Sequence, residues 1–598
     1  MKKNNTMKQG LWSIMAPVMF EIKAGITLAG LSAFSAVGAM LFMALAVGAL
    51  VNGGETEFIG FRFGVWESVW LTILLTAIAF IFRTYAFKVS HNGAFALEEI
   101  LRTRIAGHLA KVPMGYILTT GSGALKKVMV DDVMSLHAFV ADSTPFIGRT
   151  IAAPVASMAL MFIIDWRLAL VSTIVLVIGF TVMGFVMRDA ASYRKKYEEG
   201  QEMINSAVIE FVQAMPVVRT FDDGKSSFMR YQTALDIYKK GLKEWINATG
   251  IPARIGLLIL SPIPTLLAVT AAGIYFKSAG TLSFSAFVAA LMMSTGMADA
   301  MMPLMWLNNF IKKSQAGAFR INEVLNSPVL SVSETPKEPQ DSSVVFENVF
   351  FRYSSRKEYA LRDVSFEVPK GTVTAVVGPS GAGKSTVAKL IPRFWDVESG
   401  CIKVGGIDVR NISPEKLMEH VSFVFQDTFL FHDSLSDNIR MAKPDATHEE
   451  IIKAAKAACI HDFIMTLPDG YSTKAGDRGA RLSGGQKQRI TIARAILRDA
   501  PVIVLDEATA FADPENEEEI IRAIANLTKN KTVIVIAHRL STIRDVDQII
   551  VMDGGCVVER GRHEYLKDSG GIYARLWGNY EQAQSWDISV RERKDEAS

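Results

Sequence analysis

Long apolar runs organise the first half of this chain, and short ones broken by glycine organise the second. A helix crossing the hydrocarbon core needs about 20 consecutive apolar residues. Residues 24–54, 168–187, 255–276 and 278–298 carry no charged side chain, and each predicts one span. Residues 68–82 and 150–164 are shorter and reach that length only when extended past Arg83 and Arg149, which brings the expected count to six.

Lys88, Arg102, Arg104, Lys111, Lys126 and Lys127 lie between the second and third spans, and Arg188, Arg194, Lys195, Lys196 and Arg219 between the fourth and fifth. Basic loops stay on the cytoplasmic side, so both connections are expected there and the short, basic-poor ones outside. The apolar spacing of Leu97, Ile100, Leu101, Ile105 and Leu109 continues a helical period, so the spans are expected to run on into the cytoplasm as hairpins. Pro113, Gly115, Gly121 and Gly123 break one hairpin, Pro216 and Gly224 punctuate the other, and such tips are candidates to dock on the soluble half. Along the sixth span Met293, Met297, Met301 and Met305 recur every four residues on one face, with Asp299 opposite. Met293 and Met297 suit either an adaptable lining for bulky apolar solutes or ordinary helix packing. Asp299 suits either a pathway acid or the solvated end of a helix.

A net charge of +3 over 598 residues gives no electrostatic footprint for nucleic acid. Cys401, Cys459 and Cys556 lack paired spacing and read as reduced thiols. Lys2, Lys3 and Lys8 precede an apolar segment without an evident cleavage site, so the first span is expected to be retained.

Residues 327–343, rich in Pro, Ser and charge, read as a linker between a membrane domain (1–326) and a soluble one (344–582), with 583–598 as a charged tail. A predicted strand at 372–377 runs into Gly378, Pro379, Ser380, Gly381, Ala382, Gly383, Lys384, Ser385 and Thr386. Glycines in such a loop let the backbone wrap phosphates, Lys384 places a cation on them and Ser385 offers a hydroxyl to Mg2+. Residues 502–507 read VIVLDE, a buried strand delivering Asp506, suited to hold magnesium through water, and Glu507, suited to orient or deprotonate a water. Leu482, Ser483, Gly484, Gly485 and Gln486 read LSGGQ, whose backbone N–H groups open a helix as a second anion site. Two phosphate-seeking motifs in one chain suggest ATP held between two copies of such a domain.

With these motifs the chain resembles the ABC transporter ATPases over nearly its full length, and its first half resembles six-span, exporter-type half-transporters. The resemblance implies an α-helical polytopic membrane domain, six transmembrane helices extended into the cytoplasm, plus an α/β P-loop NTPase domain of ABC type. It also implies an ATPase coupled to transport, with ATP and Mg2+ as cofactors. It gives Tyr353 the stacking of adenine, Gln426 a touch on magnesium and the attacking water, His538 the γ-phosphate and Asp513 the signal between two ATP sites. Asp132 in VDDV and the stretch 210–221 resemble the family's two cytoplasmic coupling loops. Asp477 departs from the pattern, standing where exporters carry a glutamate.

ATAFADPENE, at 508–517, departs too, and looks like exporter-shaped bacterial importers of metal–siderophore complexes. It implies import of a metal chelate. Export of lipid, peptide or drug-like amphiphiles stands beside it, and a non-transporting regulatory ATPase is the reading from another class. The expected partners are a second half-transporter, identical or different, the lipid bilayer and the transported solute, but no nucleic acid. The expected location is the bacterial inner membrane, with the ATP-binding domain in the cytoplasm.

Overall fold

The computed structural model describes residues 10–221, 225–299, 301–331, 333–354, 356–426, 428–506, 514–537 and 540–584. Their contacts divide the chain into two units: residues 1–110 with 121–327, and residues 111–120 with 328–598. The ten residues 111–120 therefore belong with the ATPase half, although the chain enters and leaves them from the membrane half.

The helical part comprises α1 (Met19–Val51), a hairpin of β1 (Glu55–Phe58) and β2 (Phe61–Gly64), α2 (Val65–Leu109), α3 (Met114–Thr120), α4 (Thr144–Ile164), α5 (Trp166–Phe221), α6 (Lys225–Leu260), α7 (Pro262–Ser278), α8 (Phe284–Asp299) and α9 (Met301–Leu325). With 56 residues α5 is about 84 Å long, far more than a bilayer core requires. Among the described residues, four helical stretches, Ala16–Val51, Val65–Leu109, Ser122–Ile164 and Trp166–Phe185, are long and apolar enough to cross a membrane. The span expected at 255–276 is not one straight helix: α6 and α7 meet at a 47° bend. Pro262 causes it, because its ring removes an N–H and starts a new helix after the extended Ser261. The sixth expected span corresponds to the shorter apolar helix Phe284–Gly296.

Small residues let the helices approach closely. A Cβ on Gly148 of α4 would lie 2.1 Å from the Ile26 carbonyl of α1, and one on Gly48 would meet Ser285 of α8. Between α3 and α4 the chain makes two π-helical stretches, Lys127–Asp132 and Phe139–Ser143. Ser90 of α2 donates to the Ala141 carbonyl in the second, at 2.9 Å in a buried position, which satisfies an acceptor that the wider turn displaces. Met293 is fully buried, in one apolar cluster with Met161, Leu168, Leu176, Met183 and Val269. That burial fits the helix-packing alternative of the two. The side chains of Met297 and Asp299 lie outside what the structure describes.

The second unit holds an antiparallel sheet, in the order β4-β3-β6-β7, built from β3 (Val344–Phe351), β4 (Leu361–Val368), β6 (Ser399–Val404) and β7 (Ile407–Asp408). Its larger sheet runs β12-β11-β5-β10-β9-β8, from β5 (Val373–Val377), β8 (Val421–Val424), β9 (Val502–Asp506), β10 (Thr532–Ile536), β11 (Gln548–Asp553) and β12 (Cys556–Gly561). All its pairings are parallel except that of the edge strand β12. Successive strand residues point to opposite faces. Val502 and Val504 join the core shared with the antiparallel sheet and α10 (Lys384–Leu390), while Ile503 and Leu505 join a second core under α11 (His448–Ala457) and α12 (Gly484–Arg498). Burial on both faces explains the unbroken VIVL run. Ligands of open parallel sheets bind beyond the strands' carboxyl ends, where this chain places its phosphate loop, Asp506 and Gln426.

Candidate functional site

The phosphate loop leaves the end of β5 and leads into a short helix, Lys384–Leu390. Gly378 has φ of 146°, and a Cβ there would lie 2.0 Å from the Met552 carbonyl of β11. Gly383 has φ of 99°, and its Cβ would lie 2.8 Å from the Ala360 carbonyl. Both positions exclude side chains for conformational and steric reasons together. Lys384 is 6% exposed, and its Nζ donates to the carbonyls of Gly378 (2.8 Å) and Pro379 (2.9 Å). The ammonium is thereby held inside the curve of the loop.

Tyr353 lies just beyond β3, and its hydroxyl is 2.9 Å from the Thr386 hydroxyl of the loop. Burial is the strongest influence on that hydroxyl and raises its pKa, against the hydrogen bond to Thr386. Its ring meets Phe351 at 4.9 Å and Trp395 at 5.2 Å, both edge-on.

Asp506 ends β9 and is 5% exposed. Gln426 follows β8 and is half-buried. Ser385, Gln426 and Asp506 present hydroxyl, amide and carboxylate oxygens, the hard donors that suit a magnesium ion sharing its coordination with phosphate and water. Among the described residues no cluster of three His, Cys, Asp or Glu side chains offers a dedicated metal cage. Glu507, Asp513 and His538 lie outside the described residues.

The LSGGQ segment opens α12. Ser483 caps that helix, its Oγ accepting from the Gln486 N–H (3.3 Å) while its own N–H donates to Gln486 Oε1 (2.9 Å). The Ser483 N–H expected to face an anion is thus taken up by this reciprocal cap. Ser483 and Gly484 are exposed, whereas Leu482 packs against the core beneath. Arg494, farther along α12, donates to the carbonyls of Asn438 and Phe429 and to the Asn438 side chain, at 2.6–2.8 Å. Burial pulls its guanidinium down to about 10. These bonds fasten the signature helix to Phe429 and to the short helix Leu435–Arg440, both of which follow β8.

The family resemblance implied a coupling loop at Asp132, whereas the structure buries that carboxylate inside the helical unit, paired with Arg320 of α9. The segment lying on the ATPase half is instead α3 with its flanks: the Gly115 N–H donates to the Phe394 carbonyl (2.9 Å), and the Leu330 N–H to the Lys111 carbonyl (3.2 Å). Pro113 and Gly115 were the local signals for it. The stretch 210–221 is the end of α5, and residues 222–224 lie outside the described residues.

A polytopic helical unit joined to a P-loop ATPase that carries its own signature helix defines a membrane-embedded, nucleotide-driven machine. The ABC transporter transmembrane region model matches residues 22–301, and the ABC transporter model matches residues 361–510. The chain is 35% identical to the putative multidrug export ATP-binding/permease protein YgaD of Bacillus subtilis over 485 residues, covering 80% of this chain and 82% of that protein. It is 38% identical to the mycobactin import ATP-binding/permease protein IrtA of Mycobacterium tuberculosis over 481 residues, 80% of this chain but 55% of that protein. The chain thus spans about half the length of its IrtA relatives. A solved bacterial Atm1-family ABC exporter with ATP bound superposes with a TM-score of 0.72 at 26% identity, covering 97% of this chain and 99% of that one. The chain belongs to the ABC transporter family and joins the family's transmembrane region and ATPase domain in one polypeptide.

Proposed function

We propose that this chain is one half of a dimeric ATP-driven transporter in the bacterial inner membrane, and that it imports a metal–siderophore or similar metal chelate. The observation that carries the import reading is the agreement of the ATAFADPENE segment with the identity, between 37% and 39%, to three mycobactin import proteins.

Phosphoryl transfer asks the protein mainly for positioning and charge stabilisation. The loop from Gly378 to Thr386 would cradle the phosphates with Lys384 as cation, and Tyr353 would take the adenine. Ser385, Gln426 and Asp506 would hold magnesium, which neutralises phosphate charge when bound. Glu507 would orient or deprotonate the attacking water, His538 would touch the γ-phosphate, and Asp513 would signal to the other site. Ser483 to Gln486 would close on ATP held by the partner copy, so that the nucleotide favours the closed dimer through contacts available only there. Pulling on the cytoplasmic segments would then exchange inward-open and outward-open arrangements of the membrane helices.

Export is the second reading. It draws on the YgaD similarity and on 32% identity to the ATP-dependent lipid A-core flippase of Legionella pneumophila, over 81% of this chain and 82% of that protein. Cells carrying the protein should accumulate a radiolabelled ferric siderophore, and the K384A variant should not. Uptake equal in both strains, with ATP-dependent loss of the label only from cells preloaded with it, would overturn import in favour of export.

A further inference from the structure

Two cytoplasmic features that look independent in the sequence, the Gly115 segment and the aromatic Tyr353, meet at one indole. A Cβ built on Gly115 would fall 2.0 Å from Cε2 and 2.1 Å from Nε1 of Trp395, so the ring lies directly on the α3 backbone. The hydrogen bond from the Gly115 N–H to the neighbouring Phe394 carbonyl, at 2.9 Å, fixes that backbone at the same place. Trp395 also meets the Tyr353 ring at 5.2 Å with an interplanar angle of 89°, and Phe351 at 6.0 Å. Tyr353 reaches Thr386 of the phosphate loop through its hydroxyl. Thr386, Tyr353, Trp395 and Gly115 thus form one continuous line of contacts within the second unit.

We propose that Trp395 is a positioning residue that transmits the placement of the adenine-binding Tyr353 ring to the Gly115 segment, so that the base of the nucleotide, and not its phosphates alone, is sensed by the loop of the membrane half. This rests on the reading of Tyr353 as the adenine partner. A purine stacks on a ring face, whereas Tyr353 stands perpendicular to Trp395 and is held by its hydroxyl at Thr386. Reorienting the ring for stacking moves the surface that supports the indole. Close-packed groups pass such a displacement on, and Gly115 leaves no gap to absorb it. Bulk at residue 115 would separate the two surfaces, which gives this position a reason to be glycine although its φ is ordinary.

The test is hydrogen exchange on the full chain in lipid nanodiscs, read at the amides of residues 114–120. Magnesium ATP should change exchange at Gly115 by at least about threefold, while magnesium tripolyphosphate, which offers phosphates without a base, should not. W395L should abolish the ATP response with its Kd for ATP changed by no more than about threefold, and W395F, which retains a ring, should restore part of it. A variant that only loosened the fold would alter exchange equally with and without nucleotide. Equal responses to ATP and tripolyphosphate in the unmodified protein, a comparison that needs no variant, would overturn the proposal. So would an intact ATP response in W395L. Y353L separates the two ideas: an unchanged Kd for ATP removes the adenine reading itself, whereas a Kd raised about tenfold or more beside an intact W395L response removes only the relay.

Discussion

Arg320 of α9 holds the Asp132 carboxylate with two hydrogen bonds, 2.7 Å from Nε to Oδ2 and 2.5 Å from Nη2 to Oδ1, across 188 residues of sequence. The two ends of this pair are unequally covered, Asp132 with 5% of its side chain exposed and Arg320 with 37%. Gly317, one helical turn before Arg320, leaves room for the approach: a Cβ there would come within 2.8 Å of Ser135 Oγ. The helix that leads to the linker is thereby fastened to the start of the third-span hairpin. Hydrogen bonding to Asp132 is the main reason the Arg320 pKa is raised.

The unequal burial predicts unequal mutants. R320Q strands a buried carboxylate and should cost about 3 kcal/mol. D132N leaves a guanidinium that can still reach water and should cost about 1 kcal/mol. Thermal unfolding of the two variants in detergent checks the order, and a lower melting temperature for D132N than for R320Q would contradict it.

Gly378→Ala and Gly381→Ala should differ although both change a phosphate-loop glycine. A Cβ at 378 collides with the Met552 carbonyl, whereas one at 381 has nothing within 4 Å and meets only the strain of φ at 83°. G378A should weaken ATP binding by at least about 100-fold and G381A by roughly tenfold, as read by equilibrium titration with ATP.

Glu507→Gln should separate binding from turnover. If Glu507 orients or deprotonates the water, the variant keeps its ATP affinity while hydrolysis falls by roughly 100-fold or more. Near-normal phosphate release would remove Glu507 from that role.

The acid limb of stability carries a signature of Asp408. Burial opposes ionisation of this carboxyl, but hydrogen bonds from the Arg410 side chain and N–H outweigh it and leave its pKa below the usual value. A lowered folded pKa means that the stabilisation is complete above the unfolded value of about 3.9 and is lost as pH falls through the folded one. D408N should therefore shrink the loss of ATPase-domain stability between neutral pH and the region below about 3.9, as measured by denaturant melts across that range. An unchanged acid limb would assign it to other carboxylates.

The sequence alone determined what depends on local covalent pattern. Apolar run length marked the helices that can span a bilayer, since only about 20 apolar residues reach across. The spacing of Gly378, Gly381 and Gly383 disclosed the phosphate loop, since few residues tolerate that backbone. LSGGQ was legible as a helix start, although its reciprocal cap with Gln486 was not. The tertiary structure decided what depends on distant segments returning to one another. It turned Asp132 from a loop candidate into half of a buried pair, placed Met293 in a helix contact, bent the fifth span at Pro262 and laid Gly115 against Trp395. Hydrophobic period states which face of a helix is buried but not which helix covers it, and a charge or a glycine takes its meaning from that partner.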